Sequence, residues 1–332
     1  ILIMKKVLED LFEQKRLSRN EAKTILLEIS EGKFNDALLA SFLTVFKMRP
    51  ITKDELHGFR DALLQLCIPI DLEGRDTIDI VGTGGDSKNT FNISTLTSFV
   101  VAGAGYPVTK HGNYGVSSVS GSSNVLEHLG YQFTNDIDEI KRRLDYADMV
   151  FLHAPLFHPA MKAVGPVRRA LGMKTFFNML GPLVNPSRPK RHFLGVFDMN
   201  LSRLYQYILQ EDLNPFAVIF NLDGYDEISL TDRFSFRTEK DDLFMTPQDL
   251  GFVQIDPQGL HGGDTVEEAA KIFLTILKGE GTEAQRNVIY ANAGLAIQRF
   301  DPDRSFVDCI AEAKESLDGG KAYDCLKRAL EN

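Results

Sequence analysis

The sequence predicts an α/β protein in two parts: a small N-terminal helical bundle domain, and a larger domain with a central, mostly parallel sheet flanked by helices. Three observations carry this. Residues 1–68 show helical periodicity only. After Pro69, short apolar runs alternate with helical stretches, as in β-loop-α-β units. Two loops rich in glycine and serine each follow a strand-like run and lead into a helix-like one.

Taken in order, Met4, Val7, Leu8, Leu11 and Phe12 share one helical face. Ser18 with Glu21 forms a capping box that opens a second helix carrying Ala22, Ile25, Leu26 and Ile29. A third helix starts near Asn35 and stops before Pro50. It is apolar almost all round, so it is central or lies at a subunit contact. Thr52 with Glu55 caps a fourth helix bearing Leu56, Phe59, Leu63 and Leu66. Strands are expected at Thr77–Val81, Tyr106–Lys110, Met149–Leu152, Phe193–Val196 and Phe216–Phe220. Further helices are expected at Ser94–Ala104, Asn124–Leu129, Pro159–Leu171, Leu201–Leu209, Thr265–Lys278, Thr282–Gln298 and Ser305–Leu317. The domains expected are residues 1–70, completed by 159–186, and residues 71–158 with 187–332.

The chain has 332 residues, with 37 Lys+Arg against 46 Asp+Glu, a formal charge of −9. An acidic balance with no basic face argues against a nucleic-acid partner. The three cysteines form no CxxC pair and no metal spacing, as expected of thiols in a reducing cytoplasm. The most apolar run, Ala37 to Phe46, is about half the length of a membrane span, so no membrane partner is expected. Ile1–Lys6 lacks the pattern of a signal peptide, and a cytoplasmic location is expected.

The segment Asp79 to Thr95 is the strongest chemical signal. Gly82, Gly84 and Gly85 let backbone N–H groups approach an anion, and the following helix N-terminus adds its dipole. Asn92, Ser94 and Thr95 offer capping or phosphate-binding groups. The spacing is neither that of a dinucleotide-binding fingerprint nor that of a Walker A loop. In the second loop, Lys110 to Ser123, Lys110 offers a point charge and the serines offer hydroxyls. At the carboxyl ends of adjacent strands the two loops would share one crevice. Asp226-Glu227 forms an acidic pair in a short loop that is expected to be exposed. Arg168-Arg169 lies on a helix, where neighbours point about 100° apart, so only one of the two is expected to face a ligand.

Gly82-Thr83-Gly84-Gly85-Asp86, Asn92-Ile93-Ser94-Thr95 and Lys110-His111-Gly112-Asn113 resemble the motifs of the anthranilate phosphoribosyltransferase family. So do His158–Lys162, Pro166–Arg169, Phe177–Pro186 and Asp223–Glu227, in order along essentially the whole chain. The resemblance implies the fold shared with pyrimidine nucleoside phosphorylases. It implies transfer of a phosphoribosyl group from 5-phosphoribosyl diphosphate to anthranilate, releasing diphosphate, in tryptophan synthesis. It also implies a homodimer through the helical domain. By motif match, phosphoribosyl diphosphate would contact Gly82, Gly85, Asp86, Thr90, Asn92, Ser94, Thr95, Lys110, Ser118 and Ser122. Anthranilate would contact Gly82, Asn113 and Arg168, and magnesium (Mg2+) would bind through Ser94, Asp226 and Glu227. Lys110 and His111 would serve catalysis, Lys110 by stabilising the leaving diphosphate and His111 as a polar neighbour of the amine.

That chemistry suits the residue types. The leaving diphosphate gains negative charge, which amide N–H groups, Lys110 and a metal stabilise. The aromatic amine is largely unprotonated near neutral pH, so no general base is required. Two positions depart from the family pattern. Tyr114 stands where arginine is common, removing a cation from the second loop, and Asn124 replaces a common aspartate. One alternative is a pyrimidine nucleoside phosphorylase, but Gly82-Thr83 and Asp86-Ser87 do not fit its loop. The other is a nucleic-acid-binding relative, which would lack the first glycine loop and be basic.

Overall fold

The structure, a computed structural model, describes residues 2–115 and 119–331, the side chains of Leu2 and Ile3 excepted. Four helices come first: α1 (Leu2–Phe12), α2 (Arg19–Ser30), α3 (Asp36–Met48) and α4 (Lys53–Leu66). Then follow β1 (Ile78–Gly82), α5 (Ile93–Gly103), β2 (Val108–Gly112), α6 (Ser122–His128), α7 (Ile137–Ala147) and β3 (Met149–His153). Two helices, α8 (Ala154–Phe157) and α9 (Met161–Leu171), precede β4 (Arg191–Gly195), α10 (Met199–Leu209) and β5 (Phe216–Asn221). A hairpin, β6 (Phe234–Thr238) and β7 (Asp242–Met245), leads to α11 (Val266–Leu277), α12 (Glu283–Ile297), α13 (Phe306–Asp318) and α14 (Lys321–Leu330). The chain divides into two compact units, residues 1–70 with 154–186, and residues 71–153 with 187–332.

In the first unit both expected capping boxes form, Ser18 with Glu21 and Thr52 with Glu55. The aromatic side chains Phe42, Phe46, Phe59 and Phe176 make its centre. Phe59 and Phe176 stack with centroids 4.3 Å apart, and Phe42 and Phe46 meet edge to face at 5.1 Å. The apolar helix α3 therefore buries Leu39, Phe42, Leu43, Val45 and Phe46 within its own unit. Glu55 is fully buried and paired with Arg49 at 2.6 Å, and it also accepts the Leu17 N–H at 3.0 Å. That carboxylate fastens the start of α2 to α4. Phe12 and Met48 remain exposed, at 62% and 84%.

The second unit holds a seven-stranded sheet in the order β3-β2-β1-β4-β5-β6-β7. The first five strands of that order are parallel, and β6 and β7 are antiparallel. The apolar helix α5 is buried almost throughout, and α12 is buried from Val288 to its end, as core helices of such a fold must be. Strand β2 spans Val108–Gly112, not the expected Tyr106–Lys110. Pro107 has no N–H for the ladder, and Tyr106 instead packs on Phe300 at 4.8 Å and donates to Glu312 at 2.8 Å. The connections from β1 and β4 leave in opposite directions, so the topological switch point lies between these two strands. Such a crevice is where open α/β sheets hold ligands.

Candidate functional site

The crevice is built on a pair of glycines. Gly82 ends β1, Gly195 ends β4, and the two are register partners. A Cβ on Gly82 would lie 2.3 Å from Asp226 Oδ2, and one on Gly195 would lie 1.5 Å from the Asp226 carbonyl oxygen. Only hydrogen at both positions lets the segment after β5 fold down over the strand ends. The Asp226 carboxylate then accepts the Gly84 N–H at 2.7 Å. Gly84 and Gly85 adopt φ of 64° and 77°, a left-handed conformation that glycine takes without strain. At the N-terminus of α5 the Ser94 N–H donates to Glu227 Oε1 at 2.8 Å.

Asp226 and Glu227 are therefore not the exposed loop pair expected from sequence. Asp226 is only 7% exposed, and the segment is fixed from both sides. Asn221 donates its side-chain amide to the Glu227 carbonyl. On α12, Asn292 accepts the Ile228 N–H at 3.1 Å and donates to the Ile228 carbonyl at 2.8 Å. Burial, with Asp86 beside it, pushes Asp226 up to about 7. Burial and the Asp226 charge raise Glu227 well above the usual carboxylate range, and burial also raises Asp86. Each of the three carboxyl groups thus holds its proton more firmly than an exposed one would.

Lys110 lies beneath this cluster, 1% exposed. Its ammonium donates to the Ile80 carbonyl and, at 3.2 Å, to Ser94 Oγ. Burial lowers it to about 8, against the pull of Asp79, Glu227 and Asp226. Its charge thus reaches the crevice by way of Ser94. His111 is also buried, and its backbone N–H is held by Asp79 at 3.1 Å. Strand alternation sends the Lys110 and His111 side chains to opposite faces.

The other expected residues lie on the same two loops. The Asp86 carboxylate accepts the Lys88 N–H at 2.9 Å, and Thr90 makes a β-bridge with His261. Of the two roles expected for Asn92, capping or phosphate binding, its side chain does not cap α5; its amide donates to the Ser120 carbonyl at 3.0 Å, joining the two loops. Thr95 is buried. Ser122 Oγ donates to the Asn113 carbonyl at 3.2 Å. Ser118 lies outside the described residues. Asn124 sits inside α6, where its oxygen accepts the N–H groups of Gly115 and Gly121, both at 2.9 Å, closing the neck of the second loop. Tyr114 donates to Glu127 at 3.1 Å and meets His153 edge to face at 4.9 Å. Where the family pattern has a cation, this chain has an anchor.

Arg168 belongs to the first unit. It is half-buried with its guanidinium 5.2 Å from the Phe177 ring centroid, while Arg169 is exposed. The sequence motifs single out none of Gly195, Asn221 and Asn292, whereas Tyr225 lies in the Asp223–Glu227 motif. Asn292 alone carried a signal, an amide in the apolar run Val288–Ile297. The pairing of Gly195 with Gly82 depends on strand order, which no local pattern encodes.

Among the described residues no three His, Cys, Asp or Glu side chains form a ready-made metal cage. Magnesium keeps several waters and substrate oxygens, so one or two carboxylates suffice, and hard oxygens such as those of Asp226, Glu227 and Ser94 fit it.

Residues 5–67 match the helical bundle domain of a glycosyl transferase family, and residues 74–323 match its a/b domain. The chain is 54% identical over 328 residues to an anthranilate phosphoribosyltransferase of Bacteroides fragilis, covering 99% of each chain. It superimposes with a TM-score of 0.91 on the crystal structure of anthranilate phosphoribosyltransferase from Thermus thermophilus, at 30% identity and 98% coverage of both chains. It also shares the fold of the Saccharomyces cerevisiae enzyme in complex with PRPP and Mg, with a TM-score of 0.92, 24% identity, and coverage of 99% of this chain and 97% of that one.

Proposed function

Since this chain belongs to the anthranilate phosphoribosyltransferase family, we infer that it transfers the phosphoribosyl group of 5-phosphoribosyl diphosphate to the amine of anthranilate, releasing diphosphate, in tryptophan biosynthesis. The observation that carries the site assignment is the pair of amides at Gly84 and Ser94, each already gripping a carboxylate oxygen. Amides that hold carboxyl oxygens in the free chain can hold phosphate oxygens in their place, so donor binding would exchange one oxygen acceptor for another there.

The donor takes Gly82, Gly85, Asp86, Thr90, Asn92, Ser94, Thr95, Ser118 and Ser122, and Lys110 sets the local field. As the bond from the sugar carbon to diphosphate breaks, negative charge grows on the leaving group. The α5 N-terminus and Lys110, hydrogen-bonded to Ser94, would stabilise it. Magnesium, bound through Ser94, Asp226 and Glu227, would neutralise further charge on the diphosphate. The acceptor takes Gly82, Asn113 and Arg168, with His111 near its amine. Positioning the unprotonated amine against the sugar carbon then suffices for attack.

Arg168→Ala is expected to raise the KM for anthranilate roughly ten- to a hundredfold, the worth of one charge-assisted contact, with the KM for the donor nearly unchanged. Steady-state kinetics with each substrate varied checks this; an unchanged anthranilate KM would remove Arg168 from the site.

The chain acts as a homodimer through its helical domain. Phe12 and Met48 stand exposed on helices of that unit, and large apolar side chains left in water favour a second copy. Light scattering at micromolar concentration is expected to give twice the chain mass, and a monomer mass would refute this. Its setting is the cytoplasm, which suits three buried, unbridged cysteines. No helix among the described residues is long and apolar enough to cross a membrane.

A further inference from the structure

We propose that Lys88 is a diphosphate-binding residue, its ammonium resting on the ring of Tyr225 until the donor arrives. The inference deepens the phosphoribosyl-transfer reading above and rests on it.

The charges around the crevice pose the problem. Asp86, Asp226 and Glu227 crowd together, and the nearest buried cation, Lys110, is committed to the Ile80 carbonyl and Ser94 Oγ. A polyanionic diphosphate entering there needs a cation that can move. Lys88 lies on the first glycine loop, half-buried, two residues beyond Asp86. Its backbone is fixed: its N–H donates to Asp86 Oδ1 at 2.9 Å, and the neighbouring Asn89 amide donates to the Gly263 carbonyl at 2.8 Å. Its side chain is not fixed in that way. The ammonium lies 4.7 Å from the centroid of the Tyr225 ring. Among the described residues it makes no hydrogen bond and no salt bridge.

That placement is informative because carboxylates are close by. Tyr225 directly precedes Asp226, so the ring holds the ammonium beside the acidic pair without pairing it to either acid. A ring face grips an ammonium less firmly than charged oxygens do. A lysine, a compact charge on a flexible four-carbon stem, leaves such a hold easily when a phosphate comes within reach. Tyr225 itself is buried, so its ring is held by packing while the ammonium is held by the ring face.

The test is calorimetric titration of the full chain with magnesium diphosphate, comparing the wild type with Lys88→Met and Lys88→Arg. Lys88→Met is expected to weaken binding roughly ten- to a hundredfold, and to raise the KM for the donor while leaving that for anthranilate unchanged. Its affinity should also depend less on salt than that of the wild type. Lys88→Arg should recover most of the affinity, and the ligand-free melting temperature should be the same in all three. Diphosphate binding by Lys88→Met equal to that of the wild type would overturn the proposal. So would a lowered ligand-free melting temperature with unchanged affinity, which would make the contact with Tyr225 a brace. A wild-type chain that binds no magnesium diphosphate would bring down the phosphoribosyl-transfer reading itself, and this inference with it.

Discussion

Gly195→Ala is expected to destabilise the chain by about 3 kcal/mol and to cut turnover by about a hundredfold or more. The added methyl group would lie 1.5 Å from the Asp226 carbonyl oxygen, a distance no relaxation of side chains can relieve, because the obstacle is backbone. Either β4 shifts or the 221–228 segment lifts away from the strand ends. Lifting takes the Asp226 carboxylate off the Gly84 N–H and the Glu227 carboxylate off the Ser94 N–H. Both are placed by the same fold-back, so both move together. Thermal melts and steady-state kinetics measure the two effects. A variant with wild-type stability and turnover would show that the segment is not held against the sheet.

Asp226→Asn combined with Glu227→Gln is expected to lower kcat by about a hundredfold or more and to raise the magnesium concentration that activity requires. Its effect on the ligand-free fold has the opposite sign. Burial, with Asp86 beside it, raises Asp226 from an ordinary 3.8 to about 7. Between those values the folded chain holds a proton that the unfolded chain has lost, so stability falls as pH rises through this window. Above it, the folded wild type carries a buried carboxylate charge that asparagine avoids. Asparagine also keeps an oxygen for the Gly84 N–H. Without magnesium, the double variant should therefore melt above the wild type at pH 8, by about 2 kcal/mol in stability, with the difference shrinking toward pH 5. A variant that melts below the wild type at pH 8 would contradict the burial argument, and an unshifted magnesium titration would move the metal elsewhere.

These two effects show where the sequence was legible and where it was not. The helices of the first unit could be read because their signals are local. Ser18 with Glu21 and Thr52 with Glu55 fix two starts, and Asn35 does cap α3. Most of the parallel strands could be read from short apolar runs. Helices α7 and α14 were missed because they are rich in charge, although Ile140, Leu144 and Ala147, and Ala322, Cys325, Leu326 and Ala329, keep the helical spacing. The β6–β7 hairpin was missed because its turn has no glycine, proline or asparagine. Thr238 Oγ1 shapes it instead, accepting the N–H groups of Lys240 and Asp241 at 3.2 and 2.9 Å. The glycine loops were legible as strand-to-helix turns from their composition and their place after an apolar run. The burial of Asp226 was not, because it depends on two glycines far apart in sequence becoming neighbours across β1 and β4.

The central claim is that this crevice carries phosphoribosyl transfer to anthranilate. Its most direct test is to mix the chain with anthranilate, 5-phosphoribosyl diphosphate and magnesium, following anthranilate fluorescence and released diphosphate together. Fluorescence is expected to fall only when all three are present, with one diphosphate released for each anthranilate consumed. Unchanged fluorescence with the complete mixture, or phosphate-dependent cleavage of a pyrimidine nucleoside in its place, would contradict it.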